Sequence, residues 1–319
     1  MKKFVLAAIG LTLAGVAAPS AAETPPHRTQ APGFYRMMVG EFEVTALSDG
    51  IADQPMDKLL TRIAPAELER LAKRRFLTFP VETSINAFLV NTGTSLVLVD
   101  SGAGGAFGPA AGRLARNLAA AGYRPDQVDA VLITHLHSDH SGGLAAEGKR
   151  LFPNATIYAH AREVAHWLSP DEERKAPEGM KGLFAAARAA LGPYQDAGKL
   201  RTFADAVDIV PGVRAEPTPG HTPGHAVYAI ESKGERMNFW GDLIHVADIQ
   251  FAAPGIAILY DTDQDAAIGQ RAAAFRDAAD KSYWVAAPHI AFPGIGRLRA
   301  EGQAYDWVPA AYSLKGLTP

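Results

Sequence analysis

Apolar positions recur along this chain with two periods. From Phe42 to Leu47 apolar and polar residues alternate, the period of a half-buried strand. Asn86 to Val90 and Ser95 to Val99 read as two more strands, and Asn91-Thr92-Gly93 between them is a hairpin turn signal. Between Pro109 and Ala121 the spacing becomes helical, with Leu114, Leu118 and Ala121 on one face, and Ala130 to Ile133 then forms a short buried strand. A second round begins with a strand at Thr156 to Ala159. Helical stretches follow at Ala161 to Leu168 and Gly182 to Leu191, the latter stopped by Gly192-Pro193. Val227 to Glu231 and Met237 to Trp240 form a strand pair turned by Lys233-Gly234. An alanine-rich helix from Gln264 to Ala279 precedes the last strand, Tyr283 to Ala287. One sheet would not comfortably hold so many strands, so the pattern predicts two sheets with outer helices.

The amino terminus departs from this pattern. Lys2 and Lys3, an apolar stretch from Phe4 to Ala18 and Ser20-Ala21-Ala22 read as an export signal over residues 1–22. The apolar stretch is shorter than the ~20 residues of a bilayer span. The expectation is an exported, periplasmic or secreted protein whose residues 23–319 form a single domain, with no membrane span once the signal is removed. A Pro/Ala-rich linker occupies 23–33. At 48% hydrophobic and 20% charged the composition is that of a globular enzyme, and with no cysteine its stability comes from packing and bound metal. A formal net charge of −3 leaves no basic footprint for nucleic acid.

The chemistry concentrates after the strand at 130–133, where Thr134 to His140 reads Thr-His-Leu-His-Ser-Asp-His. Three imidazoles and a carboxylate this close point to a metal site. Neutral imidazole and carboxylate suit zinc and similar borderline ions, and the absence of cysteine rules out a structural thiolate site, so the metal is catalytic. Three later loops end in further candidate ligands: His221 in Pro-Gly-His, Asp242 in Phe-Trp-Gly-Asp and His289 in Ala-Ala-Pro-His. Asp100 reads either as a residue that orients a ligand histidine or as a turn cap. His225 reads as holding its own loop, and His160, His166 and His245 as structural or surface residues. Gly102-Ala103-Gly104 imitates a dinucleotide turn, but Phe107 stands where the third glycine belongs. No Gly-x-Ser-x-Gly occurs, which removes the commonest serine-hydrolase signature.

The ligand set as a whole resembles the metallo-β-lactamase superfamily of hydrolases, whose pattern is His-x-His-x-Asp-His followed by a distant His, Asp and His. The resemblance implies an α/β fold, an αββα sandwich of two mixed sheets flanked by helices. It implies that His135, His137 and His221 bind one divalent ion, that Asp139, His140 and His289 bind a second, and that Asp242 bridges them. Zinc is the first expectation for both, with mixed zinc and iron, manganese or cobalt as alternatives. A hydroxide shared by the two ions would attack the substrate, Asp242 would keep the pair together, and Asp139 would pass a proton to the leaving group.

Within the superfamily the chain resembles the methyl parathion hydrolases and related lactonases. The likeness rests on Phe-Glu-Val-Thr-Ala-Leu-Ser-Asp-Gly at 42–50, Leu-Val-Leu-Val-Asp at 96–100, Phe-Pro-Gly-Ile-Gly at 292–296 and the arginine-containing tail. It implies a pocket lined by Phe107, Trp167 and Phe184, a small hydrophobic lactone, aryl ester or organophosphate triester as substrate, and a homodimer. The chain departs from the parathion hydrolases along Asp53 to Arg62, where Leu59 and Leu60 stand. Two other classes remain as alternatives. One is a di-iron redox protein on the same fold, in which a glutamate would replace Ser138; the other is a noncatalytic metal-binding periplasmic protein.

Overall fold

In a computed structural model of the protein, which describes residues 26–317, two seven-stranded sheets are each laid down in chain order. The first comprises β1 (Phe34–Val39), β2 (Phe42–Gln54), β3 (Val81–Asn91), β4 (Leu96–Val99), β5 (Ala130–Leu132), β6 (Thr156–His160) and β7 (Leu200–Phe203). The second comprises β8 (Val207–Val210), β9 (Val213–Pro217), β10 (Ala226–Ser232), β11 (Glu235–Phe239), β12 (Trp284–Ala286), β13 (Ile295–Glu301) and β14 (Ala304–Pro309). Both are mixed: β4 to β7 pair in parallel, as do β11 and β12, while the other neighbours are antiparallel. The export signal expected at residues 1–22 lies outside the described residues. Among the described residues, no helix is long and apolar enough to cross a membrane.

The central strands are apolar on both faces because each face feeds a different core. Ala87, Leu89, Leu96 and Leu98 face a helical layer formed by α1 (Leu114–Ala120), α2 (Ala161–Trp167) and α3 (Lys181–Asp196). Their neighbours Phe88, Val90, Val97 and Val99 face Val213, Tyr228, Ile230, Met237 and Phe239 of the second sheet. On that sheet's outer side, Trp240 and Val285 pack on Phe275 and Ala278 of α4 (Gln264–Lys281). The layers therefore run helix, sheet, sheet, helix, as the sequence predicts.

Three sequence expectations need correction. Helix α1 begins at Leu114 and not near Pro109, because the buried Asp49 carboxylate draws the N–H groups of Ala103, Gly112 and Leu114 into a tight loop ahead of it. Helix α3 runs through Gly192-Pro193 to Asp196. A proline inside a helix costs about 3 kcal/mol. Here the next residue offsets that cost: Tyr194 is buried, donates its hydroxyl hydrogen to the Leu144 carbonyl and accepts from the Phe152 N–H. The strand predicted at Tyr283 to Ala287 is β12, and it is not the last, since the β13–β14 hairpin follows and completes the second sheet.

Candidate metal centre

The first cluster of ligands follows β5 directly. Thr134 continues from that strand, and its N–H and hydroxyl both donate to the buried Asp100 carboxylate, which anchors the loop to the end of β4. The other loops start at the carboxyl ends of β9, β11 and β12, so donors distant in sequence meet at one edge of the sandwich, where loops on a rigid scaffold commonly place chemistry. Gly241 shows how closely these loops pack. It has a positive φ of 54°, and a Cβ there would lie 2.6 Å from His225 Nε2 and 2.8 Å from Thr134 Cβ. Glycine alone allows the next residue, Asp242, to reach the centre of the site.

The seven residues come together as two groups: His135, His137, His221 and Asp242, and Asp139, His140 and His289. In the inner group, His137 Nδ1 lies 3.0 Å from His135 Nε2 and 3.1 Å from His221 Nε2. Asp242 Oδ2 is 3.5 Å from His135 Nε2 and 3.3 Å from His221 Nε2. In the outer group, Asp139 Oδ2 is 3.5 Å from His140 Nε2 and 3.4 Å from His289 Nε2. Asp242 Oδ1 completes it at 3.2 and 3.3 Å from the same two nitrogens. Asp242 thus offers one oxygen to each group.

Four of the rings are oriented by bonds on their far sides. His135 Nδ1 meets Thr134 Oγ1 at 3.1 Å, His221 Nδ1 meets Asp261 at 2.9 Å, His140 Nδ1 meets Asp100 at 2.9 Å, and His289 Nδ1 donates to the Ser84 carbonyl at 2.8 Å. These outer partners fix ring orientation and leave the inward nitrogen free. His225 holds the backbone of Asp242, since its Nε2 accepts the Asp242 N–H at 3.0 Å and its Nδ1 meets Thr218.

Electrostatics divides the same residues. Burial holds His135 below its ordinary value and pushes His137 down to about 3. Burial acts the same way on His221, His140 and His289, yet nearby carboxylates outweigh it. Asp242 and Asp261 raise His221 to about 9; Asp242 and Asp139 raise His140 and His289. Burial would raise Asp139 and Asp242, but the surrounding histidines keep both ionised.

This donor set fits divalent cations. Three inner imidazole nitrogens converge at 3.0 and 3.1 Å. In the outer group, His140 Nε2 and Asp242 Oδ1 are buried without a hydrogen-bond partner. A buried polar atom left unpaired costs about 1–3 kcal/mol. Inward-facing imidazole and carboxylate atoms bear that cost where an ion completes them, and two such groups accommodate two divalent ions, with zinc chemically suitable.

The other sequence candidates are placed as follows. Asp100 orients His140. His160 caps α2 and bonds the Ala204 carbonyl, and His166 lies 3.9 Å from Glu172. His245, expected to be structural or on the surface, is instead buried in the site, with Nε2 3.2 Å from Asp242 Oδ2 and Nδ1 lacking a hydrogen-bond partner. A lone histidine three residues after Asp242 carries no motif to reveal it. Trp167 and Phe184 pack at a tilt of 51° in the helical core with ring centroids 4.7 Å apart, and the Trp167 ring centroid lies 5.3 Å from that of His137. Phe107 sits apart from them, half-buried against Ala52, Ile85, Ala103 and Ala111. Leu60 pairs with Ile258 in a short strand pair, which places the 53–62 segment beside the loop of Asp261.

Such a sandwich with a His/Asp centre at its edge defines a recognisable class. The profile of the metallo-beta-lactamase superfamily matches residues 80–289, and the chain belongs to that superfamily. A probable metallo-hydrolase of Mycobacterium tuberculosis is 29% identical over 201 residues, which make up 57% of this chain and 63% of that protein. Among solved structures, hydrolase AbOPH in the beta lactamase superfamily is 38% identical with a TM-score of 0.85, covering 89% of this chain and all of that one. AidC, a dizinc quorum-quenching lactonase solved with a product N-hexnoyl-L-homoserine, is 28% identical with a TM-score of 0.81, covering 88% of this chain and 98% of that one.

Proposed function

We propose that this protein is a metal-dependent hydrolase of small hydrophobic lactones, with aryl esters and organophosphate triesters as secondary substrates. The observation that carries the reading is the convergence of the seven donors into two groups joined by Asp242. Similarity to a dizinc lactonase supports the substrate class. So do two exposed apolar side chains near residues of the site: Leu259, two residues before Asp261, is 56% exposed, and Phe292, three residues after His289, is 38% exposed.

His135, His137 and His221 would hold one ion, Asp139, His140 and His289 the other, with Asp242 shared. Bound there, such ions polarise an ester carbonyl and lower the pKa of water towards ~7. The protein's own residues do the rest. Asp242 keeps the two groups in register through its separate oxygens. Asp139 is kept ionised by His140 and His289 and retains 19% side-chain exposure, so it can take a proton from attacking water and return it to the leaving oxygen. His245, held below its ordinary value by burial, packs its Nε2 3.2 Å from Asp242 Oδ2 and would help hold that carboxylate in place.

The test is metal content of the purified protein together with hydrolysis rates on an acyl-homoserine lactone, an aryl lactone, an aryl ester and methyl parathion. Two ions per chain with lactone turnover dominant is the expected result. One or no ion with no turnover sinks the reading. A ring-opened lactone leaves an alkoxide that needs a proton, whereas a nitrophenolate does not. An Asp139→Asn variant that keeps both ions should therefore lose more activity on the lactone than on a nitrophenyl ester.

A further inference from the structure

We infer that Glu163 is a positioning residue that sets the distance between the loops carrying His137 and His221, and thereby how tightly the inner group holds its ion. The inference rests on the metal-centre reading above but concerns a residue outside both donor groups.

Glu163 lies in the first turn of α2 and is wholly buried. An acidic side chain with no access to solvent persists where its oxygens are fully paired. Its Oε1 accepts from the Leu136 N–H at 2.9 Å and from the Trp167 indole N–H at 2.7 Å; its Oε2 accepts from the Gly224 N–H at 2.8 Å. Leu136 stands between His135 and His137, and Gly224 belongs to the His221 loop. One carboxylate therefore joins the backbones of two ligand loops whose imidazoles meet 3.1 Å apart.

The approach of the second loop is equally specific. A Cβ on Gly224 would lie 2.3 Å from the Glu163 backbone nitrogen and 2.6 Å from its Cβ. The His221 loop thus rests directly on the first turn of α2, and any side chain at 224 would lift it. Asp261 and Thr134 orient single rings, whereas Glu163 determines the separation of two.

Besides the Thr222 hydroxyl, which can donate or accept, the groups facing the carboxylate are three N–H donors, and an amide cannot accept from all three. Glutamine has one acceptor oxygen, and in either orientation its NH2 faces an N–H. Glu163→Gln keeps the volume and breaks the tie to one loop. A purely structural glutamate would lower stability and leave metal affinity unchanged; a spacing residue would weaken one ion and spare the other.

The experiment measures ions retained per chain against graded chelator, with the melting temperature of the metal-free protein alongside. The expected result is that Glu163→Gln releases one ion at about 10–100-fold lower chelator concentration and holds the other as the wild type does. Gly224→Ala perturbs the same junction from the other side and should release the same ion, identified as the one missing from His221→Ala. If either folded variant keeps both ions at wild-type affinity, or weakens both equally, the inference is overturned. Wild-type protein that holds no ion overturns the metal reading itself.

Discussion

The inner and outer donor groups share Asp242 but are built differently. The inner group supplies three imidazoles, all buried, from two loops that Glu163 ties together. The outer group supplies two imidazoles and the Asp139 carboxylate, which remains 19% exposed. Carboxylate–imidazole contacts span the same range in both, 3.2 to 3.5 Å in the outer group and 3.3 and 3.5 Å in the inner, but only the inner group adds imidazole–imidazole approaches of 3.0 and 3.1 Å. A closed set of imidazole nitrogens holds an ion firmly, whereas a set with an open carboxylate can hold an ion and still exchange protons with a substrate. On the proposed function, retention would fall to the inner group and proton traffic to the outer one.

The severest test removes what they share. Asp242→Ala deletes an oxygen from each group, so both ions should be lost from the purified protein and turnover should fall on the order of 10³-fold or more, the several kcal/mol such ions supply. Single-group variants come next. His221→Ala should empty the inner group and His289→Ala the outer, each leaving one ion by elemental analysis. Loss of both ions from His289→Ala would mean that the two groups form one cooperative site, and the division drawn here would fail.

Legibility in the sequence follows the same line. The seven donors could be read because four share one short loop and the other three close strand-ending turns; the inner-outer pairing came with the family pattern. Their supports could not be read so easily. Glu163 works through the backbone N–H groups of Leu136 and Gly224, which have no code in side-chain identity. Asp261 and His245 are single residues in loops whose path only the folded sandwich defines. In the fold, the number of strands pointed to two sheets with outer helices, whereas the passage of α3 through Pro193 depended on tertiary contacts of Tyr194 that no local pattern carries. The β13–β14 hairpin turns at Gly302, whose φ of 64° belongs to the folded backbone.

Smaller effects separate the groups through their outer partners. Asp261→Asn should loosen His221 and weaken the inner ion, while Asp100→Asn should loosen His140 and weaken the outer one, each by about 10–100-fold. Competition with a chromophoric chelator measures both. Equal weakening of the same ion by the two variants would contradict the assignment.

Proton release gives the finest distinction. His221 is raised from 6.5 to about 9, His140 well above 6.5 and His289 above it, so at pH 6.5 the metal-free protein keeps the first two protons and more than half of the third. For such groups the stabilisation is fully present below the unfolded value of 6.5 and disappears as pH rises through the folded value, about 9 for His221. An ion must displace these protons, so its affinity should rise with pH over the same window, by up to about tenfold per unit for each proton released. His135 and His137 are neutral at pH 6.5, so filling the inner group there should release about one proton and filling the outer group more than one. Calorimetric titration in two buffers of different ionisation enthalpy counts these protons, with His289→Ala isolating the inner group and His221→Ala the outer. Equal counts would show that the carboxylates do not divide the site as proposed, and that its two halves differ in shape alone.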